Sequence, residues 1–329
     1  YAPTGELALA QEKHALYFAD LLRSCEPGLK GAAYVESLNR IEADLENILV
    51  AWHWLVENER RPALAAAMDS LAIFLEARGH FPTGRRNFKI LVERWQDRLA
   101  RKGTADGREA ADDLRLLAKG MAWQTTFELN QDTAENLLKE SLALLDDKRL
   151  EEGEGNCERA FAHYRLGKLM EESQLERSIH HFEQGLALYR ALDDDWGSGH
   201  CLQGLGYAHI FINIDKSRHY YGEAIQVFEK SGEVRGLAQT LGWLVVSTFL
   251  QDDVANVKEM NSRYQALIAG MGDAIVPEAT LEMNAITREA VGHYAEAVGY
   301  REQMIALFKE LGREVTIRQV YLGIDYLHI

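Results

Sequence analysis

The chain has 329 residues, 47% hydrophobic and 26% charged, a composition that permits a packed core and argues against disorder. Lys and Arg total 36 against 51 Asp and Glu, a formal charge of −15, so the averaged surface repels phosphate and direct nucleic-acid binding is not expected. Apolar runs such as 244–250 are far too short for a membrane span and no signal-peptide pattern opens the chain, while the odd set Cys25, Cys157 and Cys201 makes no disulfide framework; a cytoplasmic chain with reduced thiols is expected.

From the N-terminus, helical patterns cover roughly 6–25 and 32–58. The second carries Ile41, Leu45, Ile48, Leu49, Trp52 and Leu55 at helical spacing. Residues 1–61 are read as an N-terminal helical pair capping a stack, and 62–102 as a first helix-pair unit. After the Gly-bearing stretch 102–107, a candidate joint, residues 108–329 read as an array of further pairs.

Self-similarity identifies the array. Leu166-Gly167, Leu205-Gly206 and Leu241-Gly242 each lie mid-helix, and one constant step, that from 166 to 189, leads from each Leu to Tyr189, Phe228 and Tyr264 in turn. The same step carries Ala122 to Leu145, Ala285 to Phe308 and Ala72 to Trp95. A small residue in a first helix and a large one late in its partner keep one register if the two pack closely. Polar or Gly-bearing stops follow the second helices, among them 193–197 and 231–233. The fold expected is all-α, a right-handed superhelical solenoid of tetratricopeptide-like helix pairs.

Leu322-Gly323 is the anchor of a seventh first helix that begins near Arg313 and runs to about 327, without room for its partner. That unfinished repeat and a first residue of Tyr1 rather than Met suggest a fragment. Val320, Tyr321, Ile324 and Leu327 of that helix are then partly uncovered, which suggests self-association.

The run Leu38-Asn39-Arg40-Ile41-Glu42-Ala43-Asp44-Leu45-Glu46-Asn47-Ile48, ending in Ala51-Trp52, resembles the helix that opens the C-terminal arm of bacterial STAND-type regulators, the multidomain signal-transducing ATPases. So does Arg78-Gly79-His80-Phe81 followed by Gly84-Arg85-Arg86, and the stretch 186–193 with Trp196-Gly197 and Leu205-Gly206 is similar to the repeats of that arm. The resemblance covers nearly the whole chain. It implies an arm that senses an inducer or partner and restrains a neighbouring nucleotide-binding domain. No G-x-x-x-x-G-K-[ST] loop is present, so no nucleotide site carries over and the ATPase part would lie outside these residues.

Other constellations favour plain readings. Gly197-Ser198-Gly199-His200 lacks the third glycine of a dinucleotide fingerprint and follows a helix, so helix termination accounts for it better than a cofactor. His180 and His181 are adjacent, about 100° apart on a helix, and a metal there would need ligands from other helices; packing is preferred. Asp193, Asp194 and Asp195 lack the alternating ligands of a cation loop and read as a solvated turn. No cofactor, metal or catalytic residue is expected.

In tetratricopeptide folds the first helices line the concave surface. Residues two before and two after each anchor are expected to face that groove: Gly120 and Gln124, Tyr164 and Lys168, Gln203 and Tyr207, Gln239 and Trp243, Met283 and Thr287. The candidate binding residues are Gln124, Tyr164, Lys168, Gln203, Tyr207, Gln239 and Trp243, whose aromatic rings and amides suit a protein, a peptide or a small-molecule inducer. Packing of Tyr207 and Trp243 against adjacent helices competes with that role. The expected function is a non-enzymatic sensor domain; a constitutive interaction scaffold and an accessory part of an enzyme are the alternatives.

Overall fold

The computed structural model describes residues 4–102, 107–171, 173–210, 212–249, 254–271 and 277–310. Among these residues there are fifteen helices and no strand. They are α1 (Thr4–Leu29), α2 (Tyr34–Ala43), α3 (Leu45–Glu57), α4 (Arg61–Ala77), α5 (Phe81–Lys102), α6 (Arg108–Phe127), α7 (Gln131–Leu145), α8 (Asn156–Met170), α9 (Leu175–Ala191), α10 (Asp195–His209), α11 (Ile214–Ser231), α12 (Val234–Phe249), α13 (Val254–Met271), α14 (Pro277–Ala290) and α15 (Tyr294–Glu310). The chain forms two compact units, residues 1–204 and 205–329. Each is a stack of helix pairs in which neighbours in sequence are neighbours in space, the organisation of an all-α solenoid. The expected seventh first helix, with Val320, Tyr321, Ile324 and Leu327, lies outside the described residues.

The expected N-terminal pair is three helices rather than two. Asp44 closes α2 and opens α3, and its side chain accepts a bond from Asn47 Nδ2 at 3.3 Å. The backbone breaks there without a side-chain cap on α3, while the apolar face continues through Leu38, Ile41, Ile48, Trp52 and Leu55, all buried. In the same unit α1 packs on α4, where Ser70 donates to the Leu22 carbonyl at 2.7 Å.

Every described anchor of the repeat is buried: Ala72 and Trp95, Ala122 and Leu145, Leu166 and Tyr189, Leu205 and Phe228, Leu241 and Tyr264, and Ala285. Within unit 1 the first helices α4, α6 and α8 also touch one another in succession.

Two successive pairs are built by the same contacts. Gly167 on α8 faces the Phe182 ring on α9, and Gly206 on α10 faces the Tyr221 ring on α11; a Cβ would come within 2.6 Å and 2.5 Å of those rings. Beside them Ser178 donates to the Gly167 carbonyl at 2.9 Å and Ser217 to the Gly206 carbonyl at 2.7 Å. The hydroxyls satisfy polar groups that close helix contact would otherwise shield from water. Gly242 lies inside α12 and is buried.

Gly206→Leu is therefore expected to lower stability by roughly 1–3 kcal/mol through overpacking against Tyr221. The urea midpoint of the variant measures it, and an unchanged midpoint would show that the register is wrong.

In unit 2, α12 contacts α11, α13 and α14, and α14 pairs with α15. Val245 and Val257 form one small buried cluster with Met260 and Val291 against it; Met304 and Ile305 form another with Leu281 and Val298.

Candidate functional site

The first helices of unit 1 share a face that concentrates charge and aromatic surface. At its centre is Asp69 on α4, buried, with both carboxylate oxygens engaged. Oδ2 accepts from Lys30 Nζ at 3.0 Å, at the turn after α1, and from Lys119 Nζ on α6 at 2.9 Å; Oδ1 lies 2.8 Å from Lys119 Nζ and accepts from Trp123 Nε1 at 2.9 Å. Burial works to raise the pKa of Asp69, but the two ammonium charges and the Lys119 and Trp123 hydrogen bonds outweigh it and hold the carboxyl well below the usual range. Burial likewise opposes the charge on Lys30 and Lys119, and Asp69 reverses that effect, leaving both pKa values raised. Glu26 adds a second carboxylate to Lys30 at 2.7 Å.

An aromatic chain leads away from this knot. The Trp123 ring lies 4.5 Å from Phe161 on α8, centroid to centroid; Phe161 lies 6.2 Å from Tyr164; Tyr164 lies 6.3 Å from Trp196 and 5.9 Å from His200 on α10. Trp196 and His200 meet edge to face at 4.6 Å, and the Lys30 ammonium stands 5.2 Å from the Trp196 centroid, within cation–π range. Tyr164 and Trp196 remain half-buried, so part of this surface faces solvent.

Beside the knot, α4, α6 and α8 line a half-open cavity of about 410 Å³ bordered by Arg61, Pro62, Ala65, Asp112, Arg115, Leu116, Lys119, Cys157 and Glu158. Arg61 is anchored to Asp112 at 3.1 Å and Asp113 at 3.3 Å. Glu158 is buried; its Oε1 accepts from Arg115 Nε and Nη2 at 3.2 and 3.0 Å, whereas its Oε2 has no hydrogen-bond partner among the described residues.

Of the residues expected from sequence, Tyr164 joins this face and Gln203 is half-buried on α10, while Lys168 is exposed and pairs with Glu171. Gln124 is enclosed, 7% exposed, and a Cβ at Gly120 would meet Leu91 of α5 at 3.2 Å. The residues that α6 gives to the shared face are Lys119 and Trp123, one position earlier. A single residue turns a helix by about 100°, which accounts for the difference. In unit 2, Tyr207 and Trp243 meet edge to face at 4.8 Å and 73°, both half-buried, and Gln239 is half-buried on α12. Thr287 is buried and bonded to the Asn284 carbonyl, and the Met283 side chain lies outside the described set.

His181 meets a histidine from the neighbouring helix. Its Nδ1 lies 3.0 Å from His163 Nδ1, a distance at which one ring donates and the other accepts. Burial first, then the neighbouring positive groups, lower both pKa values to about 4, so the pair is neutral near pH 7. No group of three or more His, Cys, Asp or Glu converges as a metal site among the described residues.

No family model matches the chain. The regulatory protein AfsR of Streptomyces griseus is 28% identical over 203 residues, which cover 61% of this chain and 18% of AfsR. The chain is therefore related to a regulatory protein, of whose length it spans less than a fifth. The crystal structure of aspartyl phosphate phosphatase F from Bacillus subtilis superposes with a TM-score of 0.51 at 14% identity, covering 97% of this chain and 94% of that one, a likeness of fold. A Rap protein solved in complex with competence and sporulation factor covers 99% of this chain and 98% of its own, at 14% identity and a TM-score of 0.47. No helix among the described residues is long and apolar enough to cross a membrane.

Proposed function

We propose that this chain is the sensor arm of a cytoplasmic STAND-type transcriptional regulator, binding a protein, peptide or small-molecule inducer on the face of its first helices and thereby biasing a neighbouring nucleotide-binding domain. The observation that carries the binding role is the half-buried pair Tyr164 and Trp196, held in place by the buried Asp69 knot on α4 and its rings on α6, α8 and α10. Rings with polar edges beside fixed charges are what recognition surfaces are made of, because they combine apolar contact with orientation. Tyr164, Lys168 and Gln203 belong to the proposed surface of unit 1, with Trp196 and Lys119 added, and Tyr207, Gln239 and Trp243 to that of unit 2; Gln124 is retained only as support behind the first. The relation to AfsR favours a regulatory setting over a constitutive scaffold.

For such an arm to act as a switch, its ligand must bind two states of the longer protein unequally. The coding sequence upstream of this chain tests the setting: a G-x-x-x-x-G-K-[ST] loop in the same reading frame is expected, and a frame without one would remove the regulator reading while leaving a binding module.

A further inference from the structure

We infer that the cavity between α4, α6 and α8 is a site for a small zwitterion of the α-amino-acid kind, whose ammonium is taken by Glu158 and whose carboxylate is taken by Arg115 and Lys119. This rests on the ligand-binding reading of the first-helix face and goes beyond it by naming the ligand's chemistry.

The donors and acceptors in the cavity are only partly used. Glu158 spends Oε1 on Arg115 and keeps Oε2 unpartnered and closed to water, so an ammonium in the cavity meets it after the carboxylate turns toward the opening. A carboxylate oxygen shielded in this way calls for a donor, and a cationic donor makes the strongest bond. Arg115 spends Nε and Nη2 on Glu158, while its Nη1 reaches Asp112 only across 3.8 Å, beyond hydrogen-bond length. Lys119 has one carboxylate partner, Asp69, whose two oxygens it reaches at 2.9 and 2.8 Å, and an ammonium has three donors.

A simple anion would meet Glu158, and a simple cation would meet Arg115 and Lys119. A ligand carrying both charges on adjoining groups meets neither objection. The Arg115–Glu158 contact at 3.0 Å sets cation and anion side by side, the arrangement that one α-carbon imposes on an ammonium and a carboxylate. Pro62, Ala65 and Leu116 supply an apolar wall for a side chain, and about 410 Å³ lies near the small end of ligand pockets, roughly 300–1,000 Å³.

The test is a melting-temperature screen of the whole chain with each free amino acid at millimolar concentration, followed by calorimetric titration of the strongest. At least one amino acid with an apolar side chain should raise the midpoint in proportion to the logarithm of its concentration. Its N-acetyl derivative and its decarboxylated amine should each bind at least tenfold more weakly, and Glu158→Gln should weaken the parent compound at least tenfold. Should Glu158→Gln fold poorly, the two blocked analogues on the unaltered chain decide alone. The proposal is overturned if no amino acid shifts the midpoint, or if blocked analogues bind as tightly as the zwitterion. A peptide that binds the unaltered chain and loses affinity in Trp196→Ala, with no amino acid binding, would reject the zwitterion yet keep the ligand-binding reading.

Discussion

Asp69→Ala should lower the unfolding free energy by roughly 3–5 kcal/mol, the cost of removing one partner from a buried ion cluster. The loss goes beyond three contacts. Lys30 and Lys119 have 24% and 20% of their side chains exposed, so both ammoniums would stay largely desolvated with Asp69 gone, and Lys119 would keep no carboxylate among its described partners. The Trp123 indole N–H, in a buried ring, would lose its acceptor as well. Asp69→Asn should cost less, since an amide oxygen still accepts from the indole. Asp20→Ala is the control: Asp20 pairs with Arg23 where both side chains are largely in water, and its removal should leave stability unchanged. Urea unfolding of the three variants measures the order, and an Asp69→Ala midpoint equal to that of Asp20→Ala would mean that the knot does not hold α1, α4 and α6 together.

The repeat was legible because packing enforces it. Where Gly167 must sit under Phe182 and Gly206 under Tyr221, insertion or deletion within a pair is penalised, so small and large residues recur at fixed steps. The serines that accompany them, Ser178 and Ser217, recur at the same step as the glycines, a regularity in the sequence that marks both hydroxyls as partners of the glycine carbonyls. The break at Asp44 also left a signal, an Asp shortly before Asn47, which a continuous apolar stripe overrode.

The charged face was legible only in part. A uniform offset from each anchor assumes that every first helix presents the same rotation, and α6 does not share it. On α6 the offset led to Gly120 and Gln124, which pack inward, rather than to Lys119 and Trp123. Nothing in the spacing could announce that Lys30, distant in sequence from both Asp69 and Trp196, touches the two of them. Any surface lysine has the same local signature. Which of them meets a buried carboxylate is decided by how the helices stack, and the sequence encodes that only through the sum of their packing.

The contribution of Glu233 to stability should also fall as pH rises from about 4.5 to about 7. This residue precedes α12, is 1% exposed, and its Oε2 accepts the Gly236 N–H at 2.6 Å, the geometry of a helix cap. Burial raises its pKa, and the Gly236 N–H and the Arg235 charge pull it back only partly, leaving it at about 7. The folded state then holds a proton that the unfolded chain releases near pH 4.5, so the contribution is complete below 4.5 and is lost as pH climbs through 7. A difference of about 2.5 pH units corresponds to about 3 kcal/mol. His163 and His181, lowered to about 4, act with the opposite sign between about pH 4 and 6.5, because there the unfolded chain binds the extra proton. The informative quantity is therefore the difference between the unaltered chain and Glu233→Gln, in which the amide oxygen still caps Gly236 and nothing titrates. Relative to the unaltered chain, the variant should gain about 3 kcal/mol between pH 4.5 and pH 8. Parallel stability curves for the two proteins over that range would show that Glu233 titrates as an ordinary carboxylate.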